Sequence, residues 1–322
     1  MTGEPLFERL ALIGVGLIGS SIARAARARG AVRTIAATSR SAATRRRVIE
    51  LKLADEVTET NAAAVKDADL VIVCVPVGQC AAVAAEIGSH LSPGALVSDV
   101  GSVKAQVVRD MAPHLPANVD FVPAHPVAGT EYSGPDAGFA ELFVNRWCIL
   151  TPTERGDASA VARLSAFWEA LGANVETMSA EHHDLVLAIT SHVPHLIAYT
   201  IVGTADDLET VTRSEVIKFS AGGFRDFTRI AASDPTMWRD VFLANRDAVL
   251  EMLGRFNEDV AMLARAIRWG DGDALYDLFT RTRAIRRGIV ELGQDSGAPD
   301  FGRAHAPLPL APLPRPYAAE SE

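Results

Sequence analysis

Four stretches of the sequence carry side chains suited to proton transfer or anion binding at positions that apolar periodicity does not require. "SDVGSVK" places Ser102 just after a short apolar run, and "FVPAHP" places His125 at the end of another. "SHVPH" sets His192 and His195 about one helical turn apart, and "GGFRDFTR" supplies Arg225 and Arg229. An imidazole takes up and releases protons near neutral pH. A hydroxyl can orient it or a substrate alcohol, and a guanidinium grips a carboxylate through parallel hydrogen bonds. Each group also has a plainer reading. Ser102 can cap the "VKAQVVRD" helix, a histidine before proline can be structural, and a histidine pair can bond to backbone in a core. His182, His183, His192 and His195 lack the carboxylate–histidine spacing of a metal site, so no metal is expected.

The elements that would position these groups are legible around a glycine-rich turn. "GVGLIG", comprising Gly14, Val15, Gly16, Leu17, Ile18 and Gly19, follows the apolar run "RLALI" and opens the helical pattern "LIGSSIARAARARG". In that context G-x-G-x-x-G is a dinucleotide fingerprint. Gly14 permits the tight turn, Gly16 admits a pyrophosphate, Gly19 lets helix and strand pack closely, and the helix N-terminus faces the phosphates. A second strand ends in "IAATSR" with no acid to bond the adenine ribose hydroxyls. Ser39, Arg40 and Thr44 instead offer donors and positive charge to a 2′-phosphate, so NADP is favoured and NAD kept open. Arg40 can also be a solvated helix-start residue. Val75 and Pro76 close the third strand, "ADLVIVCVP", and Gly101 follows the fourth, "GALVSD". They join the cofactor-binding set on the carboxyl edge, where ligands bind in doubly wound sheets. Hydride transfer to a nicotinamide needs little more from the protein than a positioned substrate and a proton acceptor. His125 would be that base, Ser102 would orient it or the substrate alcohol, and Arg229 would hold a carboxylate.

Continuous apolar strands alternating with helices, then a long run with three- and four-residue apolar spacing, define an α/β chain. The expected fold is an N-terminal Rossmann-type, doubly wound and mainly parallel sheet followed by an all-helical C-terminal domain. "NVDFVPAHP" is read as one further strand, bringing His125 to the same sheet edge. The boundaries expected are 1–178 for the dinucleotide-binding domain and 179–296 for the helical domain. The Pro/Ala-rich stretch 297–322 is expected to lack order. The segment "LVLAITSHVPHLIAYTIVG" approaches membrane-spanning length but carries two histidines and a proline, so it is read as a buried helix with no membrane role. A net charge of −9 over 322 residues argues against nucleic acid as a partner. Three scattered cysteines fit no disulfide framework, and a reducing cytoplasm is expected.

Taken together, "GVGLIGSSIA", "VSDVGSVK", "AHPVAGTEYSG", "EHHDLVLAITSHVPHLIA" and "GGFRDFTRIAASDPTMW" resemble, in that order, the prephenate/arogenate (cyclohexadienyl) dehydrogenase family of tyrosine biosynthesis. The resemblance spans about residues 9 to 292. It implies oxidation of prephenate or arogenate at the ring C4 hydroxyl, with hydride passing to NAD(P)+ and loss of the ring carboxylate as carbon dioxide. It implies His125 as catalytic base, Ser102 bonded to the same hydroxyl, Arg229 on a substrate carboxylate, and His195, His192 and Thr130 in the substrate pocket. The resemblance also implies that the all-helical C-terminal domain, 179–296, is a substrate and dimerisation domain, and hence a homodimer. Some relatives carry a fused mutase or a C-terminal regulatory domain; neither is expected here, the tail being too short to fold as such a domain. Tyrosine is therefore expected to act as a competitive inhibitor. Two alternatives stand beside this reading: a β-hydroxyacid or imine dehydrogenase of similar layout, which would use a lysine, and a non-catalytic NADP-binding sensor.

Overall fold

The computed structural model describes residues 4–130, 132–153, 157–207 and 222–291. The tail 297–322 lies outside the described residues, as does Lys218, the sole lysine after Lys104 and so the one a lysine-based mechanism would draw from the helical half. The chain forms two compact units, Met1–Met252 and a second beginning at Leu253.

In the first unit β1 (Phe7–Ile13), β2 (Val32–Thr38), β3 (Glu56–Thr58), β4 (Leu70–Val73), β5 (Leu96–Asp99) and β6 (Asp120–Phe121) form one sheet. The order is β3-β2-β1-β4-β5-β6, and every pairing is parallel. The apolar runs of the sequence follow from burial on both faces. Along β1, Leu10 and Leu12 enter one core with Ile22, Phe143 and Trp168, while Ala11 and Ile13 enter another with Val71, Val97 and Met111. A strand alternates sides, so only a sheet covered twice needs an unbroken apolar run. The connecting helices are α1 (Leu17–Arg29), α2 (Ala42–Glu50), α3 (Asn61–Ala64), α4 (Cys80–Ile87) and α5 (Ala105–Met111).

The stretch read as one strand through His125 is in fact two. β6 stops at Phe121, and β7 (Ala124–Pro126) begins after Pro123 in a separate sheet with β8 (Trp147–Leu150) and β9 (Asn174–Thr177). Proline has no N–H for a ladder, which ends β6 as a parallel strand. His125 then sits opposite Ile149 in an antiparallel pair. β3 and β8 were not anticipated, being short and unflanked by turn signals.

Beyond α6 (Ala158–Ala170), α7 (Ala180–Leu187) runs into α8 (Val193–Asp207) through a π turn, Ala188–His192. The Val193 N–H bonds back to the Ala188 carbonyl, five residues earlier. Pro194 has no N–H to give the preceding turn, so a wide turn is tolerated there. The extra residue rotates everything after it by roughly 100° about the helix axis, re-aiming His192 and His195. Among the described residues Ala180–Asp207 is long and apolar enough to cross a membrane by length and composition. It is not the wholly buried helix expected. Leu185, Ile189, Ile201 and Val202 are exposed, because the chain packs only one side of it. The helix Pro235–Ala244 is started by Asp234, whose carboxylate accepts the Met237 N–H at 2.9 Å, with Pro235 in the first turn. Helices Arg246–Trp269 and Gly272–Glu291 follow, the latter wholly in the second unit.

One buried ion pair ties the loops after β5 to the second sheet. Lys104 Nζ lies 2.5 Å from Asp99 Oδ2, and both side chains have zero exposure. Lys104→Met is expected to lower the unfolding free energy by about 3–5 kcal/mol, because Asp99 would be left charged and unpaired. Urea unfolding checks this, and a loss below about 1 kcal/mol would mean the pair is not a structural constraint.

Candidate active site

The strand order reverses between β1 and β4, and the crevice at that switch point is where a doubly wound sheet takes a dinucleotide. Gly14 has φ +96°, and a Cβ there would lie 2.4 Å from the Cys74 carbonyl oxygen. A Cβ on Gly19 would lie 2.3 Å from the Gly14 oxygen. At Gly16, by contrast, a Cβ would meet nothing within 4 Å. Gly16 also starts α1 without a side-chain cap and with no acid in the first turn. The turn thus closes tightly on the protein side and stays open toward the helix N-terminus, which fits a pyrophosphate. Val15 is buried, and Leu17 and Ile18 pack partly against the core.

The Gly14 N–H donates to Thr38 O at 2.9 Å, so the end of β2 lies beside the fingerprint. Ser39 is half-buried there and Arg40 is exposed. Arg45 Nη1 donates to the carbonyls of Ser39 (2.8 Å) and Arg40 (3.2 Å), and Ser41 Oγ accepts the Thr44 N–H. This loop is therefore built around arginine and hydroxyl donors, with no carboxylate in it. Val75 and Pro76 follow β4 and Gly101 follows β5, on the same carboxyl edge.

Ser102 and His125 come from different sheets and are latched to one pair of charges. The Asp99 carboxylate accepts the Gly101 N–H at 2.7 Å and the Ala124 N–H at 3.3 Å. Lys104 Nζ donates to Asp99 and, at 2.6 Å, to the Ala124 carbonyl. The residue before Ser102 and the residue before His125 are thus held by the same ion pair. Ser102 does not cap the following helix. That role falls to Asp184, whose carboxylate accepts the N–H groups of Lys104 (2.7 Å) and Ala105 (2.9 Å). The Ser102 hydroxyl is left for other work.

The histidines lie together with a tryptophan that the sequence reading passed over. His195 donates from Nδ1 to Ser191 O at 2.8 Å and stacks on Trp238, with ring centroids 3.7 Å apart. His192 is fully buried, meets Trp238 edge-on, and receives a hydrogen bond at Nδ1 from Asn245 Nδ2 at 3.1 Å. His192 Nε2 and Trp238 Nε1 are both buried; the Ser102 backbone acts on His192 as a hydrogen-bond acceptor, whereas Trp238 Nε1 has no hydrogen-bond partner among the described residues. Buried polar atoms of that kind call for an explanation, and a ligand oxygen is one. Arg229 is exposed yet close enough to His195 for its charge to oppose protonation there. Arg225 pairs with Asp226 on the surface. Thr130 is exposed in the loop after His125, where its hydroxyl accepts the Tyr132 N–H. That loop turns back onto α1, with Ser21 Oγ accepting the Phe139 N–H, and onto α2 through an Arg47–Asp136 ion pair.

Sequence reasoning missed Asp99, Lys104, His183, Asp184, Trp238 and Asn245. The first two carried a signal: an aspartate closes an otherwise apolar strand, with a lysine five residues on. The others acquire meaning only through contacts across 43 to 80 residues.

Burial is the main influence on the imidazoles. It holds His125 well below the usual histidine value, helped by His183, Lys104 and His192. It also lowers His183, His195 and His192, the last to about 4. At neutral pH all four rings are uncharged, so His125 is a proton acceptor rather than a donor.

This combination of a Rossmann-order sheet, an uncapped glycine turn and a neutral buried histidine beside the carboxyl edge defines a nicotinamide-dependent dehydrogenase. Residues 22–177 match the family model for the prephenate dehydrogenase nucleotide-binding domain, and residues 179–281 match that for its dimerization domain. The cyclohexadienyl dehydrogenase of Zymomonas mobilis is 44% identical over 281 residues, 87% of this chain and 96% of that one. The prephenate dehydrogenase of Bacillus subtilis is 33% identical over 306 residues, 95% of this chain and 82% of its own. The crystal structure of prephenate dehydrogenase from A. aeolicus, with hydroxyphenyl propionate and NAD+, superposes with a TM-score of 0.81 at 32% identity, covering 88% of this chain and 98% of that one. The chain belongs to the prephenate dehydrogenase family.

The lowered histidines set a stability prediction. Unfolding raises each to its ordinary value, so the unfolded chain binds more protons as pH falls below about 6.5. Stability is full above that pH and is lost toward the folded values. His192 alone, at about 4, removes about 2 kcal/mol between pH 7 and pH 5. Urea midpoints at the two pH values check this, and an unchanged midpoint would contradict neutral burial.

Proposed function

We propose that this protein oxidises prephenate or arogenate at the ring C4 hydroxyl, with decarboxylation to 4-hydroxyphenylpyruvate or tyrosine. The observation that carries the proposal is the neutral, buried His125 held in register with Ser102 by the Asp99–Lys104 pair, beside an open dinucleotide turn. The bound nicotinamide supplies a hydride acceptor. His125 takes the hydroxyl proton as the C4–H bond gives up its hydride, and Ser102 orients that hydroxyl. Loss of the ring carboxylate returns an electron pair to the ring, and the proton on His125 goes back to the phenolate oxygen. Aromatisation makes the sequence irreversible, and the proton balance closes on the histidine.

Arg229 is assigned to a substrate carboxylate, the ring carboxylate by preference, with His195, His192 and Thr130 in the pocket. The unpartnered indole N–H of Trp238 supports a ligand oxygen there. Arg40, Ser39 and Thr44, with no acid at the end of β2, favour NADP over NAD. Tyrosine, which shares the product's ring, would compete for the same pocket. The dimerization description of the matched C-terminal family and the exposed Leu185, Ile189, Ile201 and Val202 favour a homodimer.

Reduced-nicotinamide absorbance, with prephenate and arogenate each crossed with NAD+ and NADP+, tests the reading. Turnover is expected, faster with NADP+, and His125→Asn is expected to lose about 10²–10⁴-fold in kcat while still binding dinucleotide. A variant that keeps most of its activity would point to a lysine-based mechanism. Dinucleotide binding without turnover in all four combinations would point to a sensor.

A further inference from the structure

Two ionisable side chains stand behind His125 that the proposed reaction does not use directly. His125 Nδ1 lies 2.8 Å from His183 Nε2, and His183 Nδ1 lies 2.8 Å from Asp184 Oδ1. The two rings meet edge to face, 5.1 Å apart at 70°. His183 has no exposure and Asp184 has 5%. The same carboxylate caps α5 through Lys104 and Ala105, two and three residues beyond Ser102. The Asp184 carbonyl accepts Asn245 Nδ2 at 2.8 Å. Asp184 is thus fixed from three directions before it touches a histidine.

Donor and acceptor logic then assigns every proton in the chain. A carboxylate only accepts, so His183 Nδ1 carries a hydrogen. The other nitrogen of a neutral imidazole is an acceptor, so His183 Nε2 receives the hydrogen on His125 Nδ1. His125 is left with a bare lone pair on Nε2, its second ring nitrogen. The opposite tautomer would set two lone pairs against each other at 2.8 Å.

We infer that Asp184 and His183 are positioning residues that act through His125, keeping its proton on Nδ1 so that Nε2 faces the substrate as the acceptor. The inference rests on the reading of His125 as the base. When the substrate O–H bond breaks, the proton joins Nε2 and the positive charge is shared along His125–His183–Asp184 with no further bond broken. It goes back to the phenolate oxygen by the same nitrogen. The surrounding charges set the direction of any pH effect. His183, Lys104 and His192 oppose a cation on His125, and Lys104 opposes one on His183, whereas Asp184 and Asp99 favour one on His183. Neutralising Asp184 therefore makes His125 harder to protonate, and the acid limb of kcat/KM moves to lower pH.

The test has two arms. Nitrogen-15 NMR of the histidine-labelled wild-type protein reads the His125 tautomer directly, and Nδ1–H is expected. Asp184→Asn and His183→Asn are then assayed across pH. A drop of about 10²–10⁴-fold in kcat is expected, as for tautomer loss in a serine-protease triad. KM should stay within about threefold, with the acid limb displaced for Asp184→Asn. An Nε2–H tautomer in the wild-type protein would overturn the inference. So would a folded Asp184→Asn enzyme with kcat within about threefold of wild type. The spectrum decides even if the variants do not fold, and it does so independently of whether the wild-type enzyme turns over.

Discussion

The geometry of the site depends on a lysine ammonium and an aspartate carboxylate that meet at 2.5 Å with no exposure to solvent. Removing two charges from water is costly, and an ion pair alone rarely recovers that cost. Here the remaining valences are filled from the backbone. Asp99 takes N–H groups from Gly101 and Ala124, and Lys104 gives a hydrogen to the Ala124 carbonyl. The bonded backbone groups belong to the residues next to Ser102 and next to His125. The pair therefore ties the backbone beside Ser102, at the parallel sheet's edge, to the backbone beside His125, in the smaller sheet.

The same lysine has an electrostatic consequence. Its charge, together with burial, opposes protonation of His125 and keeps that ring neutral and ready to accept. Asp184 works in the other sense, favouring a positive charge on the neighbouring His183. A base in the proposed position would need both influences. Without the lysine it would be protonated more readily in the resting state, and without the aspartate its proton could sit on the wrong nitrogen. The π turn before Pro194 completes the arrangement by rotating His192 and His195 toward Trp238 on one side of an otherwise apolar helix.

Local patterns in the sequence carried the parallel sheet, the fingerprint and the identity of the polar groups at strand ends. Gly14, Gly16 and Gly19 could be assigned because each answers a steric demand within a few residues. His125 was recognisable as chemistry, but its strand was not, because Pro123 splits an apolar run whose two halves join different sheets. Ser102 could equally have been a helix cap, and only the long-range bonds from Asp184 to Lys104 and Ala105 decide otherwise. His183 and Asp184 were visible only as part of a motif. Their role comes from a bond across 58 residues that no periodicity encodes. The apolar segment from Leu185 looked like a core helix because composition does not reveal which side a chain leaves uncovered.

The central claim is that one clamp brings Ser102 and His125 to the same substrate oxygen, and a crystal structure with NADP+ and 4-hydroxyphenylpyruvate tests it most directly. The account places the phenolic oxygen within hydrogen-bond distance, about 2.6–3.2 Å, of both His125 Nε2 and Ser102 Oγ, with Lys104 still on Asp99. A phenolic oxygen bound away from His125, or held by a lysine instead, would contradict it.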